Sequence, residues 1–360
     1  MNETIQLIQI IGSPFDNKRS TISFTENEIK RLYLLAQKNK IGLTFLNALN
    51  DCNLIEKYSL TEVFQEEKKR YIEQCKTVTR ISSLLNSIDA SYAVFKSRMP
   101  FDATPNDTDI IHFGTKKEFT RIIDIMRENG YVEASGFVDS QQKMLHDAVL
   151  GGDLNPHPKV KDVYDVDIYQ EISASYLHYI TKGKIQTCVL KRDDQIIGSY
   201  KSLNNEAELM TIIVHSIIPE IINTLFVYYA TLHYIKIMDN NQIEKFIQLI
   251  KDNHVSHCVK VHMTIVATLH EKAHGYLPDK IKYIIDALGY SNQEYNRLVQ
   301  TNYTMPFKYS GKTLLRAIAE KMGEFSFIPS LFNQGIRMLH PKMLYWVVSQ
   351  VYIRLNRETY

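Results

Sequence analysis

Two pairs of aspartates stand at i and i+2 in short β-type runs of this 360-residue chain: Asp107 and Asp109 in DTDIIHF, and Asp165 and Asp167 in VYDVDIY. In a strand, residues i and i+2 point to the same face. Each pair therefore sets two carboxylates side by side, about 7 Å apart at ~3.3 Å per residue. Carboxylates held that way repel each other unless a positive charge lies between them. The chemistry this suits is divalent-metal binding, because hard cations take oxygen ligands and aspartates supply both ligand and charge. If the two strands are neighbours, Asp167 brings a third carboxylate to the cation held by Asp107 and Asp109, with Asp165 as the alternative. The competing reading is a polar loop that runs into a strand, and Asp102 in that loop is either a further contributor or, as loop aspartates more often are, a turn former.

Just ahead of the first pair comes VFKSRMPFDATP (94–105), which places Lys96, Ser97 and Arg98 at the end of a strand. Two cations and a hydroxyl there could hold a triphosphate through charge-assisted hydrogen bonds. Two Mg²⁺ ions about 3.5–4 Å apart on the carboxylates would activate an attacking oxygen and steady the leaving pyrophosphate.

The elements that must position these residues follow from hydrophobic periodicity. Residues 26–50, broken near Gly42, and 58–88 have helical spacing. Residues 91–97 and 107–113 read as strands, and 116–131 as an amphipathic helix ending at Gly130, where glycine suits a C-cap. Short β-like runs follow at 131–135, 143–150, 163–170 and 185–191, and the helical period returns from Asn204. The fold class is α+β: a small mixed β-sheet core in residues 89–200, between an N-terminal helical region (1–88) and a C-terminal helical domain (201–360).

In order, the chain offers a helical lead-in, a strand ending in Lys-Ser-Arg, a short loop, an Asp-x-Asp strand, a helix and a later strand bearing Asp. This order resembles the polymerase-β-type nucleotidyltransferase superfamily. It is most similar to the uncharacterised nucleotidyltransferases that carry a Leu-Lys-Gly strand end. The resemblance implies a nucleotidyltransferase-type sheet and transfer of a nucleoside monophosphate from an NTP, such as ATP, to a hydroxyl of a small-molecule, protein or RNA acceptor. It implies metal binding by Asp107, Asp109 and Asp167, the last also as a base, and nucleotide binding by Lys96, with Ser97 and Arg98 beside it. It also places Glu208 and His215 on the helix after the core. The chain departs from the family in reading Phe95-Lys96-Ser97-Arg98 without the glycine beside Ser, and in carrying Tyr169 where a His often follows the third carboxylate. A catalytically inactive nucleotide-binding or protein-interaction module on the same fold is the alternative.

Other features bound the reading. A formal net charge of +2 gives no whole-protein field favouring nucleic acid or membrane. Four scattered cysteines without a CxxC pair fit reduced thiols and a cytoplasmic setting. No signal peptide is visible. The uncharged run 221–235 is 15 residues long, short of the ~20 that a spanning helix needs, so no membrane partner is expected. His254, Cys258, His262, His270 and His274 fall at multiples of four, with His257 nearby, but a stripe extending through sixteen or more residues spans ~24 Å or more, too long for one ion. SGKT (310–313) resembles the end of a P-loop, yet position 306 is Pro rather than the required Gly, so a helix cap is expected there. The last 60 residues carry eight Lys or Arg against three Asp or Glu among many aromatics. This is a mixture that helix packing explains and that RNA binding could also use.

Overall fold

A computed structural model describes residues 2–16, 24–103, 107–133, 141–146, 165–174 and 177–356. Four helices lead in: α1 (Glu3–Ile11), α2 (Glu26–Lys38), α3 (Gly42–Asp51) and the 27-residue α4 (Thr61–Ser87). The sheet follows with β1 (Tyr92–Phe95) and β2 (Asp107–His112), then α5 (Lys116–Glu128), β3 (Tyr131–Glu133), β4 (Gln141–His146) and β5 (Asp165–Tyr169). A separate hairpin, β6 (Ile172–Ala174) and β7 (Leu177–Ile180), leads through the short α6 (Lys182–Ile185) to β8 (Val189–Asp194) and β9 (Gly198–Leu203). Helices then dominate: α7 (Asn205–Ile217), α8 (Leu225–Ile237), α9 (Asn240–Asp252), α10 (Ser256–His274), α11 (Asp279–Leu288), α12 (Asn292–Gln300), α13 (Gly311–Lys321), α14 (Phe327–Met338) and α15 (Pro341–Asn356). The two-residue strands β10 (Ile222–Asn223) and β11 (Phe307–Lys308) pair antiparallel between them.

Local chemistry explains the helix that carries the chain away from the site strand β2. Thr115 and Glu118 form a capping box on α5, each satisfying a backbone N–H of the first turn. Ile122, Ile123 and Met126 then fall on one buried face. Asn204 caps α7 by accepting the N–H of Ala207. Ser310 caps α13 in the same way through Thr313, so SGKT is a helix start and not a phosphate loop.

The main sheet is seven-stranded and mixed, in the order β3-β4-β5-β2-β1-β9-β8. β2 lies antiparallel to β1 and parallel to β5. Its pleat sorts side chains to two sides. Val94, Ile110, Val166 and Ile168 pack with Val78, Ile81 and Leu85 of α4 and with Ile122 and Met126 of α5. Ala93, Phe95, Ile111 and Tyr169 face the helical mass. Asp107 and Asp109 share the parity of Ile111, and Asp167 that of Tyr169, so all three carboxylates lie on the helical side. That second core takes residues from all three chain segments, among them Leu7 and Phe45, Phe95 and Tyr169, and Leu209 and Phe246.

The expected α+β class is borne out, and most elements fall where periodicity places them. The run expected as a strand at 185–191 is instead a helical turn and a 3₁₀ turn, with the strand beginning at Val189. Residues 134–135, 147–150 and 163–164 of three expected strands lie outside the described residues. No helix among the described residues is long and apolar enough to cross a membrane.

Candidate metal centre

The parallel register of β2 and β5 sets Asp107 opposite Asp165 and Asp109 opposite Asp167. Asp107, Asp109 and Asp167 bring one carboxylate oxygen each to within 4.8 Å of one another. Asp109 and Asp167 are buried, whereas Asp107 is half-buried and opens the cluster toward solvent. Asp165 is buried as well but does not belong to this group, so the carboxylate that stands third beside Asp107 and Asp109 is that of Asp167. The all-oxygen donor set, gathered from two adjacent strands, fits a hard divalent cation. The histidines and the cysteine of the 254–274 stretch make no such group among the described residues. His262, for example, is buried on Thr231, 2.7 Å away.

Charge balance supports that reading. Lys96 Nζ lies 3.5 Å from Asp109 Oδ1, with both side chains 8% exposed. Lys96 brings one positive charge to a cluster of three carboxylates. The Asp109 carboxyl is accordingly pushed up to about 6, first by burial and then, against the pull of Lys96, by Asp107. A bound cation would relieve both causes.

Lys96 is held by an unusual backbone. Its φ of 56° is left-handed, a conformation that costs a non-glycine residue roughly 1–2 kcal/mol. Its N–H donates to a carboxylate oxygen of Glu208 on α7, which fixes the turn. The ammonium lies over the rings of Phe95 and Tyr169, at 4.7 and 5.0 Å, and 3.5 Å from His215 Nδ1. The other ring nitrogen of His215 is Nε2. That nitrogen lies 3.5 Å from Glu220 Oε1. The Tyr179 hydroxyl lies 2.8 Å from the same Nδ1. A cation, an imidazole, a phenol and a further carboxylate thus extend away from the aspartates.

Ser97 and Arg98 occupy other places. The Ser97 hydroxyl donates to the Phe95 carbonyl at 3.0 Å and accepts the Asp109 N–H at 2.7 Å. It ties the end of β1 to the ligand strand. The Arg98 guanidinium donates to the Tyr71 hydroxyl at 2.8 Å and pairs with Asp194 at 3.0 Å, so it braces α4 against the β8–β9 turn. Asp102 accepts from Asn47 through its side chain and from Thr44 through its carbonyl, which anchors the loop after Arg98 to α3.

Sequence reasoning did not find Tyr179 and Glu220. They come from the β6–β7 hairpin and from just beyond α7, and neither has a local signature. Glu208 is fully enclosed, and burial pushes its carboxyl up to about 8, above the usual 4.5. Its second oxygen makes no hydrogen bond among the described residues. A folded pKa above the unfolded one means that the associated stability is present below about pH 4.5 and is lost as pH rises through about 8. The Glu208→Gln variant cannot ionise, so its melting temperature relative to wild type should climb between those limits. A difference that stays flat from pH 4 to 8.5 would refute this placement.

No protein-family model matches the chain, and no curated protein matches it either. The functional reading therefore rests on the geometry of the site and on the motif order of the chain.

Proposed function

We propose that this chain is a Mg²⁺-dependent nucleotidyltransferase that moves a nucleoside monophosphate from an NTP to an acceptor hydroxyl. The observation that carries the reading is the cluster of three aspartates on adjacent strands with one buried lysine against it. Asp107, Asp109 and Asp167 would hold the divalent ions. Bound there, the ions would supply charge neutralisation at the phosphates and a lowered pKa for the attacking hydroxyl. Asp167 is the carboxylate that could also take the acceptor's proton. Lys96 brings the positive charge nearest the aspartates, where a phosphate oxygen could accept from its ammonium. In the balanced step, the acceptor oxygen bonds to the α-phosphorus, the bond to the bridging oxygen breaks, and pyrophosphate leaves. Most of the catalysis is then positioning and electrostatics.

The left-handed conformation of Lys96 supports the reading against the missing glycine. The strand-end turn that brings the backbone round is made at Lys96 itself, so Ser97 is free to act as a tie between strands. Calorimetry with ATP, GTP, CTP and UTP, with and without Mg²⁺, tests the proposal. The expected result is Mg²⁺-dependent binding of at least one nucleotide, lost in Asp107→Asn/Asp109→Asn. Folded wild-type protein that binds none of the four would establish the inactive module instead.

A further inference from the structure

The last two helices turn apolar side chains outward. On α14, Ile328, Phe332 and Ile336 are exposed, as is Leu339 just past its end, and on α15 so are Leu344, Tyr345, Val348, Tyr352 and Ile353. Four of these stand out: Phe332 at 70% exposure, Leu339 at 81%, Tyr345 at 77% and Tyr352 at 68%. Ile328, Phe332, Ile336 and Leu339 follow one another at steps of four, four and three, the spacing of a seam that packs against another helix. Tyr345, Val348 and Tyr352 repeat the pattern on α15, which packs beside α14.

The three aromatic rings alone present about 400 Å² at the 150–250 Å² typical of such side chains. With the six aliphatic side chains the apolar area exposed along the two helices approaches ~900 Å². Monomers seldom carry an apolar patch above ~600 Å², and a stable dimer needs ~800 Å² from each partner. Residues 327–356 contain no Asp or Glu and only Arg337, Lys342 and Arg354 as full positive charges. Interface centres are depleted of charge in this way. A helix lying in a membrane surface differs, because its polar face is rich in Lys and Arg. Beside the α14 stripe stand Asn333 and Gln334 instead.

We infer that α14 and α15 form a homodimer interface, in which the two stripes of one copy pack against those of a second copy. This is independent of the metal centre. Sedimentation velocity of the full chain from 0.5 to 100 µM, with hydrogen exchange at both extremes, tests it. The wild type is expected to be a dimer at micromolar concentration, with amides of 327–353 losing protection on dilution. Phe332→Glu/Leu339→Glu should weaken association by at least about 100-fold, as loss of central interface anchors does. It should leave the helical circular-dichroism signal unchanged, since both positions are exposed. A wild type that stays monomeric at 100 µM overturns the inference, as does a variant that still dimerises. Flotation of monomeric wild type with phosphatidylserine vesicles would overturn it in favour of a lipid surface.

Discussion

Asp109→Asn is expected to lower Mg²⁺-dependent nucleotidyl transfer by about 10³-fold or more, since it removes a ligand and a charge from the point where transition-state charge must be balanced. The same substitution should raise the stability of the metal-free protein at neutral pH. Wild-type Asp109 titrates near 6 when folded, against 3.8 for an ordinary aspartate. Its folded pKa is raised, so the stability linked to its proton is present below about pH 3.8 and is lost as pH rises through about 6. An asparagine never ionises and avoids that loss. The difference in melting temperature between variant and wild type should therefore grow from pH 4 to 6 and then level off. At the plateau it corresponds to at most about 3 kcal/mol, from 1.36 kcal/mol per pKa unit. Added Mg²⁺ should narrow the gap by stabilising only the wild type. Thermal melts across pH, with and without Mg²⁺, combined with a turnover assay, separate the two effects. Retained turnover, or a variant less stable than wild type at pH 7, would contradict the charge crowding described for this cluster.

The acidic pairs were legible in the sequence because strand alternation is a local rule: two aspartates one residue apart must share a face. The choice between Asp165 and Asp167 was not legible, because both lie on that face. What separates them is the approach of the carboxylate oxygens, which Asp167 brings within 4.8 Å of those of Asp107 and Asp109, and that approach depends on long-range strand pairing. Lys96 was found as a strand-end cation, but its role came from a left-handed turn and from Glu208, more than a hundred residues away. Arg98 shows the opposite case. It is two residues from Lys96, yet its partners Tyr71 and Asp194 lie 27 and 96 residues off, and they draw it into the brace between α4 and the β8–β9 turn. Strand β9 gave little signal because GSYKSL carries only two large apolar residues, Tyr200 and Leu203. Its pairing with β1 and β8 compensates for the weak local preference. The bland reading of the histidine stripe rested on helix geometry alone, and the separate hydrogen-bond partners of His262 and His270 agree with it.

Lys96→Met should make the protein's stability depend on divalent metal. Methionine keeps the length of the stem over Phe95 and Tyr169 while deleting the charge. Removing one partner of a buried ion pair costs about 3–5 kcal/mol when the other charge stays buried and unpaired. Asp109 can escape part of that cost by taking up a proton, because a carboxyl already at about 6 rises further without the ammonium. The variant should thus be close to wild type at pH 5 and fall behind as pH increases, since stability tied to a raised carboxyl pKa is lost on going through it. Mg²⁺ restores positive charge between the aspartates and should recover most of the deficit at pH 8, giving the variant a larger metal-induced rise in melting temperature than wild type. Transfer should remain impaired even in saturating Mg²⁺, because the lysine would also serve the phosphates. Chemical denaturation at pH 5 and 8, with Mg²⁺ and with a chelator, measures each part of this expectation. A deficit that Mg²⁺ leaves untouched would mean that Lys96 matters to this fold for packing alone, and that the three aspartates do not share a cation site.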